Sequence, residues 1–122
     1  MKLRIKGNSV RLRLTRPDIQ ELAHRGYLEE RTHFGSSTFI YSIECKEVEQ
    51  LTVNFGNDKL SVFIPAHFLL NWADDDIVGH EGHMPVSHTE SLYLLVEKDF
   101  KCLDRKAEDE SANYNNPNDR HV

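Results

Sequence analysis

The chain has 122 residues, a formal net charge of −5 and 39% hydrophobic residues, which is enough for one domain with its own core. Residues 1–40 carry eight Lys/Arg against four Asp/Glu, whereas residues 41–122 carry seven against sixteen. A net acidic chain is a poor nucleic-acid binder, because that affinity comes from neutralising phosphates. No run of eighteen apolar residues is present, so we expect no membrane-spanning segment.

The first sixteen residues contain six cations and no acid. Apolar and polar residues alternate over Lys2–Lys6 and Ser9–Leu14, with a Gly-Asn pair between the two runs. This pattern predicts a β-hairpin, because glycine supplies the positive φ that a two-residue turn requires. Arg4 then lies opposite Arg11, and the basic residues share one face. Like charges directly opposite each other are destabilising, so we expect an acidic group or a bound anion over that face.

A short helix is predicted to follow, over Arg16–Arg25. Thr15 is a suitable N-cap for the backbone N–H of Asp18, and a proline stands in the first turn. Apolar residues then recur with helical spacing, and Gly26 is a typical left-handed terminator.

Two further hairpins are predicted from alternating segments. The first pairs Tyr27–Phe34 with Thr38–Glu44, and the second pairs Gln50–Phe55 with Lys59–Ile64. The second turn fits the residues 56–58 in two placements, and both give the same facing pattern.

The pattern changes beyond the third hairpin. A proline opens a predicted helix over Ala66–Ala73, and Asp74–Glu90 is polar and shows no period. Ser91–Glu97 is the most apolar predicted strand, so we expect it to lie in the middle of a sheet. Residues 1–103 are then one domain, and residues 104–122 form a polar tail with little to bury.

These elements predict an α+β fold with about seven strands and two short helices. The mainly antiparallel sheet is expected to be either strongly curved or closed into a small barrel. The exposed edge at Tyr27–Phe34 suits a dimer, although nothing in the pattern demands one.

The two ends of the chain carry a resemblance to a known family. Residues 3–14 read LRIKGNSVRLRL, and residues 97–110 read EKDFKCLDRKAEDE, followed by Asn-Pro. Together they resemble a family of small uncharacterised bacterial proteins over nearly the whole chain. The resemblance implies a single-domain bacterial protein, and it assigns no activity and no catalytic residue.

The basic face of the first hairpin is the leading candidate site. Guanidinium groups at two-residue spacing on a strand bind phosphate oxygens in pairs, so we expect an anionic small molecule or an acidic protein segment as the partner. The competing interpretation is a solvated face that pairs with glutamates of adjacent strands or with the acidic tail. The candidate ligand-binding residues are Lys2, Arg4, Lys6, Arg11, Arg13 and Arg31, with Lys59 beside them.

A closed barrel gives these residues a different role. With the basic face inside, the arrangement resembles the triphosphate-tunnel enzymes, although their acidic strand motif is absent. The alternative function is therefore a metal-dependent hydrolase of a phosphorylated small molecule. In it Arg4, Arg11 and Arg13 bind phosphate, and Glu29 helps to hold the metal.

The histidine-rich segment is the second candidate site. His80, His83 and His88 follow three consecutive aspartates, and together with Cys102 they include ligand types that bind zinc. The segment is not an HExxH helix, because its second histidine comes one residue early. Histidines in a polar surface loop are more often solvated than metal-bound.

Several motifs of catalytic proteins are missing from the sequence. It contains no GxxxxGK[ST], GxGxxG, GxSxG or CxxC. We therefore expect a binding or accessory protein rather than an enzyme, with no cofactor firmly implied and a divalent metal as the one candidate. The start of the chain lacks the apolar stretch of a secretory signal, and Cys45 and Cys102 suit two free thiols, so a cytoplasmic location is expected.

Overall fold

The computed structural model describes residues 1–100, which contain eight strands, one α-helix and one 3-10 helix. In chain order the elements are β1 (Lys2–Lys6), β2 (Ser9–Leu14), α1 (Arg16–Arg25), β3 (Tyr27–His33), β4 (Thr38–Lys46), β5 (Thr52–Gly56), β6 (Lys59–Pro65), the 3-10 helix (Ala66–Leu69), β7 (Gly79–Pro85) and β8 (Ser91–Lys98). No helix in this part of the chain is long and apolar enough to cross a bilayer.

The strands form two mixed four-stranded sheets. Sheet A has the order β1-β2-β8-β7, and sheet B has the order β3-β4-β6-β5. Each sheet joins two antiparallel hairpins through a parallel pair, β2 with β8 in sheet A and β4 with β6 in sheet B. The α+β class is confirmed. The expectation of one curved sheet or a barrel is wrong, because no closed barrel forms within residues 1–100.

Local sequence signals account for the first hairpin and for α1. The register places Arg4 opposite Arg11 as predicted. The Thr15 side chain accepts a hydrogen bond from the Asp18 backbone N–H, and the Asp18 carboxylate accepts one from the Thr15 N–H. Gly26 ends the helix with φ of 77°. Burial raises the pKa of Asp18, but the hydrogen bonds from Thr15 and the ammonium group of Met1, 3.0 Å away, together outweigh it and leave that pKa below its usual range.

One hydrophobic cluster joins the apolar faces of both sheets. It takes alternate residues of β2 and β8 from sheet A, alternate residues of β6 from sheet B, and Ile19 and Leu22 from α1. Trp72 is fully buried in this cluster. Because the apolar residues of β2 and β8 point inward, the polar residues between them form the outer face of sheet A.

Two predicted boundaries are wrong for local reasons. The helix expected over Ala66–Ala73 is only a 3-10 turn that ends at Leu69, because Leu70 is extended and Asn71 has φ of 59°. The polar segment Asp74–Glu90, in which no strand was predicted, contains β7 at Gly79–Pro85. Because β7 consists largely of glycine, histidine and proline, it has no alternation of apolar and polar residues, and its sequence does not predict a strand. The predicted central position of β8 is confirmed.

Candidate anion-binding site

The outer face of sheet A carries the basic residues in ordered rows. Cross-strand pairing sets Arg4 beside Arg11, followed by Leu95 and Glu81. The next row contains, in the same order across the four strands, Lys6, Ser9, Tyr93 and His83. The row on the other side contains Lys2, Arg13, Glu97 and Gly79.

An acidic partner lies over part of this face, as expected from the like-charge pairing. Arg13 Nε donates to Glu97 Oε1 at 2.7 Å, and Arg11 Nε lies 3.9 Å from the same oxygen. Lys2 Nζ lies 3.0 Å from Asp99 Oδ2. Glu97 lies near the end of β8, and Asp99 is the residue that follows this strand. The predicted acidic tail, residues 104–110, lies outside the described residues.

Three cations surround a pocket on the other half of the face. The pocket has a volume of about 140 Å³ and is lined by Arg4, Lys6, Ser9, Val10, Arg11 and Tyr93. Among residues 1–100, neither Arg4 nor Lys6 forms an ion pair, and Arg11 is a third exposed. The Ser9 hydroxyl donates to the Lys6 carbonyl at 2.6 Å, so the cationic groups remain the main donors toward the pocket.

Tyr93 forms the wall of the pocket toward β7. Its hydroxyl donates to Glu81 Oε2 at 2.6 Å, and this hydrogen bond raises the pKa of Tyr93. The ring of His83 lies beside it, with centroids 5.1 Å apart and planes inclined by 48°. Tyr93 therefore bounds the basic pocket toward β7, and Glu81 and His83 contact Tyr93 without lining the pocket themselves.

Arg31 and Lys59 do not join this site. They lie on sheet B, where Arg31 hydrogen-bonds to Glu29 and Lys59 Nζ donates to the Tyr27 hydroxyl at 2.8 Å. The hydrogen bonds from Tyr27 and then from Arg31 lower the pKa of Glu29. The tunnel arrangement required Glu29 near the arginines of β1 and β2, but the two groups occupy different sheets and no barrel encloses them.

Sequence reasoning missed Ser42, which lies under this network on sheet B. The register places Ser42 next to Glu29, and the hydrogen bond between Lys59 and Tyr27 crosses diagonally over it. Its side chain is 1% exposed, and its hydroxyl has no hydrogen-bond partner within the part of the chain that the structure describes. Alternation marks Ser42 as an outward position, so nothing in the sequence signals its burial.

The three candidate zinc ligands are not brought together. His80 and His83 are separated by an odd number of positions on β7, so their side chains point to opposite faces of sheet A. His88 lies in the turn between β7 and β8. Among residues 1–100, no group of three or more His, Cys, Asp or Glu side chains is placed to hold a metal ion. Cys102 lies outside the described residues.

His80 faces the core rather than the solvent. Its ring stacks on Phe68 with centroids 4.5 Å apart, and it meets the edge of Trp72 at 4.8 Å. Burial lowers the pKa of His80; the Phe68 backbone and Asp75 oppose that shift, whereas His67 and Lys98 favour it. His80 is therefore neutral in the folded protein over a range where an exposed histidine takes up a proton.

This burial predicts a pH dependence of stability. As the pH falls below about 6.5, the unfolded chain protonates His80 before the folded protein does, so the free energy of unfolding decreases until the lower folded-state pKa is reached. His80→Phe should flatten this decrease, and His83→Phe, on the exposed face of the same strand, should not. Urea unfolding between pH 5 and 8 measures both slopes, and equal slopes for the two variants would refute the assignment.

A larger cavity lies where β2 and β8 end. It has a volume of about 340 Å³. Its cations have acidic partners in or beside the cavity, since Arg16 donates to Asp74 Oδ1 at 2.6 Å and Lys98 Nζ lies 3.3 Å from Asp75 Oδ1. This cavity therefore presents less uncompensated charge than the pocket between Arg4 and Tyr93.

The fold and the pocket define a small α+β protein with two mixed sheets and a basic site on one outer face. The chain belongs to DUF7009, a family of unknown function, whose model matches residues 1–118. The expected resemblance to a family of uncharacterised proteins is thereby confirmed. Comparison with curated proteins and with solved structures gave no match.

Proposed function

We propose that this protein is a binding or accessory protein that holds the phosphate group of a ligand in the pocket between Arg4, Lys6 and Arg11. The observation that carries the proposal is the juxtaposition of three cations around a pocket: Arg4 and Lys6 form no ion pair within residues 1–100, and Arg11 Nε lies 3.9 Å from the nearest Glu97 oxygen. A bound anion removes the repulsion between Arg4 and Arg11, which face each other directly.

The size and chemistry of the pocket support a single phosphate group. Its volume of about 140 Å³ is large enough to admit a phosphate group. Two guanidinium groups supply paired N–H donors, and Lys6 adds a point charge. The lining residues include no carboxylate to hold a catalytic metal, so binding is the activity that this chemistry supports.

Inorganic phosphate should stabilise the protein through this pocket. At a hundred times the dissociation constant, the free energy of unfolding rises by about 2.7 kcal/mol, which corresponds to a Tm increase on the order of 10 °C. Differential scanning fluorimetry over a phosphate series, at ionic strength held constant with sodium chloride, measures the shift. Arg4→Ala should abolish it.

Arg31→Ala is the matched control, because it removes an exposed arginine from sheet B and should leave the phosphate response unchanged. A shift that never saturates, or one of equal size in the Arg4→Ala variant, would contradict the proposal.

A further inference from the structure

We infer that the ligand is a phosphate monoester with a planar ring at its other end, of the nucleoside monophosphate class, and that the ring packs against Tyr93 and His83. This inference rests on the proposed phosphate site and names the part of the ligand beyond the phosphate.

The register places the aromatic pair directly beside the basic pocket. Lys6, Ser9, Tyr93 and His83 are consecutive cross-strand neighbours on β1, β2, β8 and β7. Neighbouring strands are about 4.8 Å apart, so the row spans about 14 Å. A ligand that lies across the strands with its phosphate near Lys6 therefore extends over Tyr93 toward His83.

The aromatic side chains are held in place before any ligand binds. The hydrogen bond to Glu81 fixes the Tyr93 ring, and the His83 ring lies against it at 5.1 Å on an exposed part of β7. Pre-ordered rings lose little freedom on binding, and stacking of a base on such a ring contributes roughly 5- to 150-fold in affinity.

The acidic residues limit how much negative charge the ligand carries. Glu81 lies on β7 and Glu97 lies one row away on β8, so the half of the face toward β7 repels further phosphates. The Glu81 carboxylate also accepts hydrogen bonds from hydroxyl or amino groups, which a sugar or a base provides. One phosphate at Arg4 and Arg11 and a neutral ring at Tyr93 fit this charge distribution.

Isothermal titration calorimetry with three probes tests the inference. Adenosine 5′-monophosphate should bind at least fivefold more tightly than ribose 5-phosphate, which lacks the ring, and more tightly than adenosine 5′-triphosphate. Tyr93→Leu should weaken the binding of adenosine 5′-monophosphate at least fivefold more than the binding of ribose 5-phosphate. Tyr27→Leu is the matched control, because Tyr27 makes the equivalent hydrogen bond to Glu29 on sheet B.

The outcomes separate the ring from the phosphate site. Equal affinities for adenosine 5′-monophosphate and ribose 5-phosphate, both lost in Arg4→Ala, would refute the ring contact with Tyr93 and His83 but would support the phosphate site. Absence of binding by all three probes and by inorganic phosphate would overturn both. Should Tyr93→Leu fail to fold, His83→Ala takes its place: it should weaken adenosine 5′-monophosphate alone, and an unchanged affinity would overturn the ring contact.

Discussion

Trp72→Ala is expected to lower the free energy of unfolding by about 3–5 kcal/mol. The Trp72 side chain is fully buried, its ring edge meets His80, and its Nε1–H donates to the Ile77 carbonyl at 2.8 Å. Alanine leaves a cavity and removes the donor from that carbonyl, so both effects act in the same direction. Urea unfolding at neutral pH measures the change.

Leu70→Ala is the matched control for Trp72, because Leu70 is two residues away and 75% exposed. Its expected effect on the free energy of unfolding is within about 0.5 kcal/mol. A loss below about 1 kcal/mol for Trp72→Ala would show that the segment after the 3-10 helix is not part of the core.

Glu97→Gln is expected to lower the free energy of unfolding by about 1.5–3 kcal/mol and to tighten phosphate binding. Glu97 is 17% exposed and accepts a charge-assisted hydrogen bond from Arg13, so its loss leaves two neighbouring arginines without their shared carboxylate. The same carboxylate lies 3.9 Å from Arg11 and competes there with a bound anion. Its removal should strengthen phosphate binding roughly two- to fivefold, the equivalent of an exposed ion pair.

A lower free energy of unfolding together with tighter phosphate binding is expected when the substituted residue neutralises part of the charge of a binding site. Chemical denaturation gives the first quantity and calorimetric titration with inorganic phosphate gives the second. Glu49→Gln, at an exposed position outside the strands, should change neither. An affinity that falls with Glu97→Gln would contradict the location of the anion next to Arg11.

Short-range sequence signals determined what was predictable. The Gly-Asn turn fixed the register of β1 and β2, and Thr15 and Gly26 fixed the limits of α1, because each depends on residues a few positions apart. The parallel pairing of β2 with β8 joins residues more than eighty positions apart, and no alternation pattern specifies it.

The difference between short-range signals and long-range pairing also explains which parts of the binding site could be predicted. The basic cluster was visible because its residues alternate within one hairpin. Glu97 lies next to Arg13 only because β2 and β8 pair in parallel. The sequence alone therefore could not show which cations have an acidic partner and which can bind an anion. Arg31 was grouped with them because a single sheet was expected, whereas it lies on sheet B.

An NMR titration of the uniformly ¹⁵N-labelled protein with inorganic phosphate tests the central claim most directly. The account predicts saturable amide shifts that are largest in β1, in the first half of β2 and at Tyr93, and that disappear in Arg4→Ala. Shifts centred on the outer face of sheet B, or shifts that grow linearly without saturation, would contradict a phosphate site on the first hairpin.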